Sequence, residues 1–128
     1  MSEDPRRRRG QLGERLARRH LSARGYELLD ANFRTRFGEL DIVARDRGCL
    51  VFCEVKTRLC RGPPGPFGPL TGVDGRKRRQ VRRLARQWLA ERGGRVGRHA
   101  PELRFDAIGV ELDADGRLRA LEHLEGAF

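Results

Sequence analysis

Glu54 and Lys56 stand two residues apart in the run CLVFCEVKT, residues 49–57, whose β-forming side chains predict a strand. Alternation along a strand sends both to one side, about 6.5–7 Å apart, while Val55 points the other way with its carbonyl near the Glu54 carboxylate. A second predicted strand, GELDIVA (38–44), is joined to the first by Arg45-Asp46-Arg47-Gly48, a hairpin signal. Asp41 reaches the same edge when the register sets it opposite or diagonal to Glu54. Two carboxylates and a carbonyl make an oxygen-rich set suited to Mg²⁺ or Mn²⁺, with positions left for water and a substrate phosphate. A neighbouring lysine can orient or deprotonate a water, or offset charge developing on the phosphate. Phosphodiester hydrolysis needs these groups. The plain alternative is an exposed Glu–Lys ion pair of negligible worth. Against it, the apolar run Leu50–Cys53 puts these charges at the end of a buried strand, where unpaired charge is expensive.

Other candidates have two readings each. Glu39 shares a strand face with Asp41 and either adds to the site or binds an arginine. Glu14 lies on a predicted helix, where Arg18 is an i, i+4 partner. Cys49 and Cys53 would be about 13 Å apart on a strand, too far for a disulfide, and read as small buried hydrophobes. With Cys60 and no nearby histidine they make a poor zinc set. His20, His99 and His123 are scattered and read as surface or packing residues. Trp88 falls on an apolar helical stripe and reads as core. Asp106, flanked by Arg104 and Phe105, is a candidate to orient Lys77 or an arginine.

The elements that must place these groups follow from periodicity. Gly10 to Arg24 is helical, with Leu12, Leu16, Ala17, Leu21 and Ala23 on one face, and Gly25 is the natural stop. Tyr26–Phe33 holds a short strand, followed by a polar turn at Arg34–Arg36. Residues 60–72, with four prolines and four glycines, form a loop. Gly75 to about Arg92 returns to helix, with Val81, Leu84, Ala85 and Trp88 inward and Arg78, Arg79, Arg82, Arg83 and Arg86 outward. A loop over 93–101 leads to a strand at Leu103–Val110. Asp115-Gly116 is a turn, and Leu118–Leu124 a last strand or helical turn. This order predicts an α/β domain with a mixed central sheet flanked by helices.

The chain of 128 residues suits one domain: residues 1–9 read as a flexible basic arm and residues 10–128 as a single unit. No apolar run approaches the roughly 18 residues of a membrane span. The N-terminal residues lack the apolar stretch of a secretory signal, so the expectation is a soluble cytoplasmic protein. The net charge of +10 is concentrated: residues 1–24 carry +5 and residues 75–98 carry +9, around a neutral centre and an acidic end. Such segments mark a polyanion partner, DNA or another nucleic acid. No segment pairs the arginines with an apolar insertion face, so a membrane surface fits less well. Lys77, Arg78, Arg79, Arg82, Arg83 and Arg86, with Arg36 and Arg58 near the strands, are the candidate phosphate contacts. Arginines outnumber lysines 26 to 2, which makes Lys56 and Lys77 informative, since retained lysines hint at a need for a compact or deprotonatable ammonium.

Taken together, Gly13-Glu14, the run Asn32–Asp41 (NFRTRFGELD), Val51–Arg58 (VFCEVKTR), Phe67-Gly68-Pro69, Lys77, Arg104-Phe105-Asp106 and the closing His123…Ala127-Phe128 resemble the bacterial YraN family. That family looks like a member of the restriction-endonuclease-like group, relatives of archaeal Holliday-junction resolvases, with the site pattern carboxylate, Asp, Glu-x-Lys. The resemblance implies that Asp41 and Glu54 are metal ligands and Lys56 the catalytic lysine, and that Glu14 is the extra acidic residue of the resolvases. Leu40 stands where a proline often precedes the Asp. The expected activity is metal-dependent cleavage of DNA, branched or structured DNA included, with a homodimer suited to cutting two strands. The rivals are a nucleic-acid-binding module of the same fold without turnover, and a basic accessory subunit of a larger assembly.

Overall fold

The computed structural model describes residues 4–61, 75–94 and 102–128, with the backbone alone at 75–77. Most of the expected 60–72 loop with Phe67-Gly68-Pro69, the 95–101 segment with His99, and the Lys77 side chain lie outside the described residues.

Helix α1 spans Pro5–Ala23. It starts five residues before the expected Gly10, so residues 5–9 belong to its first turns rather than to an arm. The cause is local: Asp4 caps it by accepting from the Arg6 amide at 3.0 Å, and Pro5 stands in the first turn. Gly13, Ala17 and Leu21 are its buried stripe. Gly25, at φ +88°, ends the run.

Strands β1 (Glu27–Thr35), β2 (Gly38–Asp46) and β3 (Cys49–Leu59) form an antiparallel meander. β1 runs through Thr35, so the turn falls at Arg36–Phe37 rather than at 34–36. Arg47 and Gly48 both have positive φ, the geometry that a two-residue hairpin turn needs. Helix α2 (Gly75–Trp88) continues as a π-helical turn over Leu89–Gly93. β4 (Glu102–Leu112) then pairs parallel to β3, and β5 (Leu118–Leu124) closes antiparallel to β4. The result is a five-stranded mixed sheet in the order β1-β2-β3-β4-β5. β3 is central, as its apolar run predicts.

The helices cover opposite faces. On one, Val81, Leu84, Ala85 and Trp88 of α2 pack on Leu40, Val43, Phe52 and Phe105. On the other, Ala17 and Leu21 of α1 pack on Ile42, Ala44, Val51, Cys53, Ile108 and Val110. Trp88 is core, with its indole N–H donating to Asp30. All three cysteines are free thiols. Among the described residues no helix is long and apolar enough to cross a membrane.

Candidate metal centre

The geometry begins with a fault in β2. Ideal alternation would put Leu40 and Ile42 on one face, yet Leu40 packs with α2 and Ile42 with α1. The alternation slips at Asp41. Pairing with β1 continues on either side of it, Phe33 with Leu40 and Ala31 with Ile42, which leaves Asn32 facing Asp41. Asn32 has φ +55°, a left-handed backbone that asparagine tolerates better than most residues. On the other side, the β2–β3 pairing runs from Asp46–Cys49 to Ile42–Cys53 and ends there. The next donor on β3 is taken by a side chain: Asp41 Oδ2 accepts from the Val55 amide at 2.6 Å.

Asp41 is thus held in a gap where two strands part, and two further carboxylates enter it. Ligand oxygens of Glu14, Glu39 and Asp41 all lie within 4.8 Å of one another. Glu39 arrives two residues earlier on β2. Glu14 arrives from α1, one residue after Gly13, and the helix comes so close to the sheet there that a Cβ on Gly13 would overlap the Thr57 side chain. Glu54 lies outside this tight trio but acts by charge on both Asp41 and Glu14.

The electrostatics follow. Burial pushes the Asp41 carboxyl well above the usual carboxylate range, and the Glu54 charge adds to it; the Val55 N–H pulls it back, while Glu14 and Glu39 push it up. Glu14 is raised too, by burial and then by Glu39, against the lowering influence of Arg18 and Arg34. Four acids repelling one another in a partly dry cleft would be relieved by a cation. The donors are all carboxylate oxygens, which fits a hard divalent ion such as Mg²⁺ or Mn²⁺.

A cavity of about 340 Å³ opens beside two of the three acids, Glu14 and Glu39, and is lined also by Arg7, Gln11, Asn32 and Arg34. Arg34 Nε lies 3.5 Å from Glu39 Oε2, so Glu39 meets both of its expectations, the cluster and an arginine. Lys56 is exposed on β3, two residues beyond Glu54. Val55, expected to offer its carbonyl, meets Asp41 through its N–H.

The expected phosphate contacts divide. Arg78, Arg79, Arg82, Arg83 and Arg86 are exposed along α2, on the face opposite α1. Helix α2 meets the β1–β2 turn through Gln80 and Arg83. There Gln80 donates to the Phe37 carbonyl at 2.9 Å, and the Arg83 and Arg36 guanidinium groups lie 3.4 and 4.8 Å from the Phe37 ring centroid. Arg82 lies over the Phe105 ring and donates to the Phe128 carbonyl oxygen. Arg58 is engaged with buried Glu111 through two nitrogens, at 3.0 and 3.1 Å. Periodicity did not single out Arg34 or Asn32, and it took Arg7 only as part of a basic segment. Arg34 and Asn32 both fall in the Asn32–Asp41 run that carries the family resemblance, and an asparagine inside a run of β-formers marks a position that accepts positive φ.

Asp106 serves a separate network. It is fully buried, with Arg104 bonded to both of its oxygens at 2.9 Å, His123 at 2.8 Å and the Gly126 N–H at 3.1 Å. His123 in turn meets His20 of α1 at 3.1 Å. Two histidines read as unrelated are therefore neighbours. Burial pushes the Asp106 carboxyl up, but the bonds from His123, Arg104 and Gly126 outweigh it and hold it below the usual range.

Comparison with known proteins bears on the whole chain. The profile described as "Uncharacterised protein family UPF0102" matches residues 13–110. A UPF0102 protein of Parafrankia sp. (strain EAN1pec) is 49% identical over 122 residues, covering 94% of this chain and 96% of its own. One from Moorella thermoacetica is 45% identical over 124 residues, 96% of this chain and 97% of its own. Another, from Symbiobacterium thermophilum, is 45% identical over 115 residues, 88% and 90% of the two chains. With the family profile covering most of the sheet and relatives aligned over nearly all of their own length, the chain belongs to the UPF0102 family, the YraN-like family its motifs resemble.

Proposed function

We propose that this protein is a divalent-metal-dependent endonuclease of restriction-endonuclease-like fold that hydrolyses DNA phosphodiesters, branched or structured DNA included. The observation that carries this reading is the convergence of Glu14, Glu39 and Asp41 within 4.8 Å, with Glu54 bearing on Asp41 and Glu14 by charge. Asp41, Glu54 and Glu14 would hold Mg²⁺ or Mn²⁺, which when bound supplies Lewis-acid polarisation of a phosphoryl oxygen and acidifies a water. Arg7 and Arg34, at the cavity beside Glu14 and Glu39, hold the phosphate by charge and hydrogen bonds. Lys56, on β3 beyond Glu54, orients the attacking water or takes its proton. The α2 arginines and Arg36 extend the grip along the backbone of the nucleic acid, giving salt-sensitive binding with little base readout. A homodimer would cut both strands.

The rival reading is a binding module of the same fold without turnover. It is favoured by the protein partners the acids already have, Val55 N–H for Asp41 and Arg34 for Glu39. Incubating the protein with linear, flapped and four-way DNA in Mg²⁺, Mn²⁺ or EDTA separates the two. Metal-dependent cutting that disappears in Asp41→Asn and Lys56→Ala, with binding retained, supports the enzyme. Binding without cutting by the wild type supports the module. Absence of binding at moderate salt removes both and leaves a subunit of a larger assembly.

A further inference from the structure

We infer that Asn32 is a positioning residue that ties Glu14 of α1 to Glu39 of β2 and so makes the helix part of the metal centre; this rests on the metal-centre reading above. Both neighbours of its carboxamide are carboxylate oxygens, which only accept, so only the nitrogen can face them. In that orientation Asn32 Nδ2 lies 2.7 Å from Glu39 Oε1 and 2.8 Å from Glu14 Oε2. One amide thus bridges acids from two elements that the sequence separates by 25 residues.

The backbone is shaped for the task. Asn32 sits at φ +55°, unpaired in register between Ala31–Ile42 and Phe33–Leu40, directly across β1–β2 from Asp41. A regular β conformation at residue 32 would restore alternation there. The left-handed residue and the slip at Asp41 therefore belong to one local distortion, which points both side chains at the same cluster. Asn32 also lines the cavity beside Glu14 and Glu39. α1 meets the sheet through apolar contacts on Ala17 and Leu21, which do not specify the Glu14 rotamer. The Asn32 bridge does. By donating one N–H to each acid it offsets their mutual repulsion and leaves the second oxygen of Glu14 for a cation, while that of Glu39 faces Arg34 at 3.5 Å.

Calorimetric titration of the full chain with Mn²⁺, in the absence of DNA, tests this. Wild type binds Mn²⁺ and Asp41→Asn does not; if neither binds, the metal-centre reading falls and this inference falls with it. Given binding, Asn32→Gly, which suits the positive φ, weakens Mn²⁺ affinity by about 10- to 100-fold, the usual loss for a group that orients a ligand. Its metal-free melting midpoint stays close to that of wild type. Asn32→Ser, with one short donor, falls between the two. In a Glu14→Gln background, Asn32→Gly has little further effect, because Asn32 acts through that carboxylate. Unchanged Mn²⁺ affinity in Asn32→Gly overturns the inference, and so does a full additional loss in the Glu14→Gln background.

Discussion

Asp41 accepts the Val55 N–H at 2.6 Å just where the backbone pairing of β2 with β3 stops at Ile42 and Cys53. A side chain replaces the missing ladder bond, so the β2–β3 pairing ends without an orphaned donor. The same bond holds a carboxylate, 7% exposed, within reach of three others. The end of the β2–β3 pairing and the charge cluster are one structural event.

The first consequence is a pH dependence. The Asp41 carboxyl is raised in the folded protein by burial and by Glu54, whereas in the unfolded chain it titrates near 3.9. Between those two values the folded state binds the extra proton, so stability falls as pH rises through the window. The metal-free protein is expected to lose melting temperature from about pH 4 toward neutrality. In Asp41→Asn that component of the slope disappears, and Mn²⁺ offsets it in wild type. Thermal melts with EDTA at several pH values check this; parallel wild-type and Asp41→Asn curves would contradict it.

Asp106 has the opposite sign. Its carboxyl, pushed up by burial, is held below the usual range by His123, Arg104 and Gly126, so its contribution is present above the unfolded pKa and lost as pH falls through the folded one. Asp106→Asn leaves Arg104 and His123 short of a buried partner. We expect a loss of about 3 kcal/mol in urea unfolding, the scale for breaking a buried ion pair. Mn²⁺ affinity of the folded fraction should hold, because this network is separate from Glu14, Glu39 and Asp41.

Gly13→Ala probes the seat of α1. The new methyl overlaps Thr57, so the helix must lift or β3 must give, at a cost of about 1–3 kcal/mol. Thr57→Ala in the same chain should recover part of that loss, a coupling that a double-mutant cycle measures. Because Glu14 is the next residue, Gly13→Ala should also weaken Mn²⁺ binding. Simple additivity of the two substitutions would show that the helix does not seat on Thr57.

Arg34 and Arg58 are expected to part company. Arg34 is mostly exposed and its link to Glu39 is long, so Arg34→Ala changes stability by less than about 1 kcal/mol. It weakens DNA binding for every sequence tested and lowers the salt slope by about one unit. Arg58→Ala strips buried Glu111 of two hydrogen bonds and costs about 1–3 kcal/mol of stability. Binding titrations across salt, alongside chemical unfolding, discriminate the pair; a stability loss in Arg34→Ala larger than in Arg58→Ala would refute the assignment.

Local signals decided much of this molecule. The stripe Val81, Leu84, Ala85, Trp88 foretold α2, because helical periodicity is written within two turns. Arg45-Asp46-Arg47-Gly48 foretold the β2–β3 hairpin, whose turn narrows to Arg47-Gly48, because a tight turn needs only its own residues, and that hairpin brings Asp41 and Glu54 within electrostatic reach. The apolar run Leu50–Cys53 foretold a central strand, but Glu54 stands at its middle rather than its end, because pairing with β4 carries β3 on to Leu59. By contrast, the meeting of Glu14 with Glu39 depends on where α1 docks, through Gly13 against Thr57, a contact between segments more than forty residues apart. The left-handed Asn32 depends on pairing across β1 and β2, and His20 reaches His123 across 103 positions only once the sheet is complete. Which carboxylates share a cleft is set by packing between elements. Side-chain types and local spacing carry no record of it until the chain is folded.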